Sequence, residues 1–242
     1  MESKHHIEFL PWDSGFFGRR IARLEGGRLT EKLADEALAE CRKDGIECLY
    51  FLADADDDET VLAAEKQEFH QTDIRVTLEQ HLSHLPQKLQ EKVAVRSAVE
   101  ADIKPLAAIA RINHRDTRFY YDKRFPTERC DDLYGTWIEN SCRGYADAVL
   151  TAGEEGTPAG YITCHLREGK TGQIGLLGVG AAFQGKGYGP ALVRGALQWF
   201  AAQGMERVTV VTQGRNCNAQ RLYQKCGFTT SLLQLWYHRW LL

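Results

Sequence analysis

The 242-residue chain sets 30 Lys and Arg against 33 Asp and Glu, a formal net charge of -3 that leaves no basic footprint for nucleic acid or a membrane surface. At 43% hydrophobic residues it can bury a sizeable core. No opening or internal run has the apolar length of a signal peptide or transmembrane helix, so a cytoplasmic protein with a small-molecule partner is expected.

In chain order, Ile7 to Leu10 and Ile21 to Leu24 read as short strands. Glu31 to Arg42 reads as a helix with Leu33, Ala34, Ala37, Leu38 and Cys41 on one face and Thr30 as its cap. Cys48 to Leu52 reads as a buried strand, Thr60 to Phe69 as a helix and Ile74 to Leu82 as an alternating strand. This alternation is the grammar of an α/β fold. Ser83 to Lys92, with Pro86 and many long polar side chains, is the expected linker, dividing the chain into 1–90 and 91–242.

The second segment opens with the strand Val93 to Arg96 and a helix over Ala101 to Ile112, with Pro105 expected in its first turn. A helix over Glu128 to Cys142 would bury Leu133, Trp137 and Ile138. Three antiparallel strands follow: Ala146 to Thr151, Gly160 to Leu166 and Gln173 to Val179. Then come a glycine-rich loop, a helix over Tyr188 to Gln203, a strand over Val208 to Thr212, a helix over Asn218 to Cys226 and a last strand, Leu232 to Trp240.

The loop, Gln184-Gly185-Lys186-Gly187-Tyr188-Gly189, lies between an apolar strand and a helix that buries Val193, Ala196, Leu197 and Phe200. Glycines let a backbone approach an anion closely, and a helix start offers unpaired N–H groups and positive potential, which suits a pyrophosphate. On its own the loop is equally consistent with a turn that holds nothing. It matches neither the G-x-G-x-x-G fingerprint nor a Walker loop. It does resemble the Q/R-x-x-G-x-G/A loop of the GNAT superfamily of N-acyltransferases.

Downstream, Asn216-Cys217-Asn218-Ala219-Gln220-Arg221-Leu222-Tyr223-Gln224-Lys225-Cys226-Gly227-Phe228 resembles that superfamily's Asn, helix with Ala and Tyr, then Gly-Phe. The resemblance implies a GNAT fold, a mixed and largely antiparallel sheet, in 91–242, after a smaller N-terminal α/β domain, with a degenerate GNAT-like half as one reading of it. It implies acetyl-CoA as acyl donor and a primary amine as acceptor. The cofactor would be held by Leu177, Gly178 and Val179 of a splayed strand, by Gln184, Gly185, Lys186, Gly187, Tyr188 and Gly189 of the loop, and by Asn216. Tyr223 would be the general acid that protonates the leaving thiolate. No Glu stands on the strand Ile174 to Val179, so the base stays open between His165 and a water chain.

Trp12-Asp13-Ser14-Gly15-Phe16-Phe17-Gly18, Thr136-Trp137-Ile138-Glu139-Asn140-Ser141-Cys142-Arg143-Gly144 and Ile174-Gly175-Leu176-Leu177 resemble bacterial dTDP-fucosamine acetyltransferases. That likeness implies a nucleotide-linked amino sugar, dTDP-4-amino-4,6-dideoxygalactose, as acceptor in surface-polysaccharide synthesis. A peptide N-terminus, a polyamine or an aminoglycoside is the alternative. From the residues themselves, Asn113 to Arg129 interleaves cationic and aromatic side chains, which marks Arg118, Phe119 and Tyr121 as candidates to meet an anionic nucleotide. The Phe-Phe-Gly patch is expected to anchor the first segment on the second.

No metal is expected. The acidic run Asp54 to Glu59 lacks the glycine and distal glutamate of a calcium loop, and His70, His81 and His84 lack ligand spacing. The seven cysteines are scattered without a C-x-x-C pair, so reduced thiols are expected. Whether the chain pairs as a homodimer stays open.

Overall fold

The computed structural model describes residues 6–84 and 93–241. Its described strands are β1 (Ile7–Phe9), β2 (Ile21–Leu24), β3 (Cys48–Asp54), β4 (His70–His81), β5 (Val95–Ser97), β6 (Ala148–Glu154), β7 (Thr157–Arg167), β8 (Thr171–Val179), β9 (Arg207–Gln213) and β10 (Thr229–Trp240). They form one sheet in the order β1-β2-β3-β10-β4-β9-β8-β7-β6-β5. Only β2–β3 and β8–β9 run parallel, so the sheet is mixed and largely antiparallel, as expected.

The helices are α1 (Pro11–Phe17), α2 (Glu31–Lys43), α3 (Asp58–Lys66), α4 (Glu100–Asn113), α5 (Arg118–Tyr121), α6 (Thr127–Asn140), α7 (Tyr188–Ala202) and α8 (Cys217–Lys225). Thr30 caps α2 as expected, its hydroxyl accepting from Leu33 N at 3.3 Å, and Ala34, Ala37, Leu38 and Cys41 form the buried stripe. Pro105 is the sixth residue of α4, not in its first turn, and so removes the bond that a backbone N–H there would give to Ala101. The start of α4 is held by Asp102, whose carboxylate accepts from Val99 N and Gly156 N at 3.0 Å each and pairs with Arg96.

Alternation along the strands decides which helices lie on which face. Cys48 and Tyr50 of β3 join Leu106, Leu133, Ile138 and Tyr161 in the core beneath α4 and α6. Leu49, Phe51 and Ala53 turn the other way, to α2 and α3. On that same opposite face, Ile162, Ile174 and Val210 meet Leu192, Val193, Ala196 and Phe200 of α7.

The expected boundary near residue 90 does not divide this sheet. β10 enters between β3 and β4, and β4 pairs β9 from Arg75↔Gln213 to His81↔Arg207. The reason is burial: Val76 and Leu78 of β4 complete the core under α7, so a strand of the first segment needs helices of the second. Of the expected linker, Leu82–His84 forms a 3-10 turn and residues 85–92 lie outside the described residues.

The aromatic patch of α1 anchors the segments as expected. Trp12 stacks on Phe16 at 5.1 Å and leans on Trp137 of α6 at 6.0 Å. Phe17 meets Phe119 and Phe125 at 5.3 and 4.6 Å. Among the described residues no helix is long and apolar enough to cross a membrane.

Candidate active site

β8 and β9 are paired only from Thr171↔Arg207 to Ile174↔Val210. β8 then continues to Val179 and β9 to Gln213 without pairing each other, and the strands part as a fork. A bulge sits at the fork: Ile162 faces Leu177 and Cys164 faces Ile174, so Gly175 and Leu176 together oppose Thr163. Thr163 Oγ1 accepts from Leu176 N at 2.8 Å. Farther along, Gly180 N donates across to Ala159 O at 2.8 Å, and strand alternation turns the main-chain groups of Leu177 and Val179 the other way, into the fork. The Val179 carbonyl there accepts from Asn113 Nδ2 at 2.9 Å and from Gln184 Nε2 at 3.1 Å.

The fork runs into the glycine loop. Gly185 and Gly187 have φ of +74° and +88°, the left-handed region that a side chain resists. Gly187 begins α7 with no side-chain cap, and the first N–H bonded within the helix is that of Ala191, to Gly187 O at 3.2 Å. Pro190 has no N–H, so the amides of Tyr188 and Gly189 head the helix without intrahelical partners. Lys186 is exposed beside them. Such an end can take a pyrophosphate without displacing any capping side chain.

Tyr223 projects from α8 into the core beneath the fork, 4% exposed, its ring 5.6 Å from that of Phe228. Burial pushes its phenol above the ordinary value, so it keeps its proton at neutral pH. Asn216 caps α8, its Oδ1 accepting from Ala219 N at 3.0 Å, and its amide nitrogen can donate to a cofactor.

His165 and Asp73 flank the fork on the α4–α6 face, one strand out on each side. On β7, His165 is 5% exposed, and burial, aided by Arg167, lowers its basicity. It lines a pocket of about 200 Å³ with Trp137, Tyr145, Gln173 and Gly175, which a side chain on Gly175 would close, since its Cβ would lie 2.6 Å from His165 Nε2. On β4, Asp73 is 4% exposed, and burial lifts its carboxyl to about 6 against the pull of Arg215 and the N–H of Ile74. Arg215 lies 3.9 Å from Asp73 and donates to Thr72 O at 2.9 Å, tying Asp73 to the turn between β9 and α8. Sequence reasoning missed Asp73. Its only signal is an acidic residue at the start of an apolar alternation.

The three acceptor-side candidates part company. Phe119, 4% exposed, belongs to the core with Phe17 and Phe125, and its ring is taken up by packing rather than by a ligand. Tyr121 is exposed and stacks on the guanidinium of Arg215 at 3.4 Å, beside Asp73. Arg118 is half-buried among Tyr50, Phe119 and Trp236.

Comparison with known proteins agrees with this geometry. The model of the acetyltransferase (GNAT) family matches residues 106–228. The chain is 26% identical over 139 residues to spore coat polysaccharide biosynthesis protein SpsD of Bacillus subtilis, covering 57% of this chain and 48% of that protein. It is 29% identical over 144 residues to the dTDP-fucosamine acetyltransferase of Escherichia coli, covering 59% of this chain and 61% of that protein. The chain thus spans about half to three-fifths of the length of these curated relatives. Among solved structures, a functionally unknown conserved protein from Staphylococcus epidermidis superposes with a TM-score of 0.68 at 15% identity over 99% of this chain and 92% of its own. A GCN5-related N-acetyltransferase from Sphaerobacter thermophilus gives 0.66 at 14% identity over 98% and 76%. At such identities these two show a shared fold. With the fork, the glycine loop, α7 and α8 all inside the matched stretch, the chain belongs to the acetyltransferase (GNAT) family, whose members use acetyl-CoA as acyl donor.

Proposed function

We propose that the protein transfers the acetyl group of acetyl-CoA to the amine of a nucleotide-linked amino sugar, dTDP-4-amino-4,6-dideoxygalactose, for surface polysaccharide. The observation that carries the transfer is the β8–β9 fork, whose inward main-chain groups lead directly to an uncapped helix start. The acceptor class draws on the names of the two curated relatives and on the cationic, aromatic surroundings of α5.

The donor supplies an activated acyl carbon and a thiolate leaving group. Leu177, Gly178 and Val179 bind its pantetheine along the open edge of β8. Gln184, Gly185, Lys186, Gly187, Tyr188 and Gly189 hold its pyrophosphate, and the Asn216 amide reaches its flank. The amine approaches from the α4–α6 face, where Asp73 attracts it as an ammonium ion and takes its proton. A carboxyl near 6 is ionised at neutral pH yet more basic than an ordinary aspartate. Main-chain N–H groups at the bulge stabilise the charge that develops on the carbonyl oxygen, and Tyr223 gives its proton to the departing sulfur. In this scheme residues 1–90 contribute Asp73 to the acceptor side and residues 91–242 hold the donor.

The test is CoA release from acetyl-CoA with a panel: the dTDP amino sugar, its gluco epimer, a polyamine, an aminoglycoside and a peptide amine. Turnover confined to an amino sugar nucleotide is expected. Turnover on one of the other amines alone would overturn the acceptor and leave the transfer chemistry standing.

A further inference from the structure

Arg118 sits where the two segments meet, and its surroundings form a chain of donors and acceptors. Its guanidinium carbon lies 4.0 Å from the ring centre of Tyr50, 4.2 Å from that of Phe119 and 4.4 Å from that of Trp236. Arg118 Nη1 donates to His238 Nε2 at 2.6 Å. On the far side of that ring, His238 Nδ1 lies 2.7 Å from Asp122 Oδ2, which also accepts from Trp240 Nε1 at 2.7 Å. The other oxygen of Asp122 accepts from Arg124 N at 3.1 Å.

Arginine can only donate, so His238 accepts through Nε2 and carries its proton on Nδ1, the neutral tautomer that the Asp122 carboxylate selects. His238 is fully buried and Asp122 only 5% exposed. Burial lowers His238 to about 4, in keeping with a neutral ring. The consequence is a separation of charge. Asp122 is engaged by the imidazole, and among the described residues no carboxylate forms an ion pair with Arg118. The guanidinium is therefore fixed in plane by one neutral acceptor and three rings, while its charge is met at longer range by the carboxyls of the half-buried Asp13 and of Asp73.

The hydroxyl of Tyr50, beneath the guanidinium, is buried without a well-formed hydrogen bond, and the polar side chain that acts on it is Arg118 itself. An anion-binding guanidinium needs its orientation fixed and its charge unpaired. Asp73, one strand over on β4, lies within electrostatic range of Arg118, so a ligand with an amine at one end and an anion at the other can span the two.

We propose that Arg118 binds the phosphoryl part of the acceptor and that Asp122 and His238 are positioning residues that hold the guanidinium for it. The proposal rests on the acceptor being a nucleotide-linked amine, and it names the group that would recognise the nucleotide.

The test measures dTDP binding by titration calorimetry to the whole protein and its variants, with acetyl-CoA binding as a parallel readout. Wild type binds dTDP, and Arg118→Met weakens it at least about thirtyfold while acetyl-CoA affinity is unchanged. His238→Leu weakens dTDP about tenfold. His238→Gln, which can give an amide N–H to Asp122 and accept from Arg118, restores most of the loss. Equal dTDP affinity in wild type and Arg118→Met overturns the proposal, as does a wild type that does not bind dTDP. If His238→Leu fails to fold, the half-buried Arg118→Met decides. Arg118-dependent dTDP binding with no acetylation of the dTDP amino sugar leaves this inference standing and removes the proposed acceptor. Acetylation of that sugar with an unchanged KM in Arg118→Met does the reverse.

Discussion

On the β8–β9 side of the fork, the groups proposed to face the donor come from residues 171–228 and include many main-chain amides. On the β4–β10 side, Tyr50, Asp73, Arg118 and Trp236 come from β3, β4, α5 and β10, and in the proposed scheme they would act through their side chains. A site made of backbone tolerates changes of side chain as long as the turns survive. A site made of side chains from distant elements depends on the whole sheet closing around it, and each member is open to replacement. One would therefore expect the donor side to be the constant part of such a protein and the acceptor side the part that sets what is acetylated.

Substitutions separate the two sides, and the largest loss is expected at the chemistry itself. Tyr223→Phe should lower kcat about 10²- to 10³-fold with little change in KM for acetyl-CoA, because it removes the proton donor and keeps the ring. Steady-state rates across acetyl-CoA concentrations check this, and a kcat within about twofold of wild type would remove Tyr223 as the acid.

Asp73→Asn comes next, with a loss of about 10² in kcat. In wild type the rate should fall as pH drops through about 6, where Asp73 gains the proton that stops it acting as a base, and that limb should vanish in the variant. The variant should melt no lower than wild type above pH 6, because a carboxyl raised by burial opposes folding when ionised. If the acid limb persists in Asp73→Asn and disappears in His165→Gln, the base is His165.

Gly187→Val probes the main-chain side. Its φ of +88° is strained for valine by about 1–3 kcal/mol, so KM for acetyl-CoA should rise about tenfold or more at nearly constant kcat. An unchanged KM would show that the loop does not shape the donor site.

The smallest kinetic effect belongs to Asp102→Asn, remote from both sides. Hydrogen bonding from Arg96 holds the Asp102 carboxyl down at about 2. Its stabilisation is therefore full above the unfolded value near ~4 and lost as pH falls through about 2. The variant should lose about 2 kcal/mol and several degrees of Tm at pH 7, with both KM values and kcat unchanged.

How much of this was legible in the sequence follows the same division. Gly185, Gly187, Tyr223 and Gly227 stand at fixed spacings within one stretch, and the Thr30 cap and the α2 stripe are set by neighbours in the chain. Local rules reach such features. They do not reach the insertion of β10 between β3 and β4, because pairing partners far apart in sequence leave no period to read. The same limit hid Asp73, whose basicity comes from burial by other elements, and misplaced Phe119, which shares its polar neighbourhood with Arg118 but turns into the core. Pro105 lies past the first turn from either start, fifth from Ala101 and sixth from Glu100, where Asp102 holds the start of α4.

The placement of β10 also governs the order in which the molecule can be made. As the chain is synthesised, β1, β2 and β3 can pair early, but β3 has an open edge and β4 has two until β9 and β10 have emerged. Most of the protein must therefore be translated before its central strands find their neighbours, which favours late, non-local folding and a long exposure of sticky strand edges. The nascent chain should accordingly be most vulnerable to aggregation, and most in need of a chaperone, just before its last strand is complete.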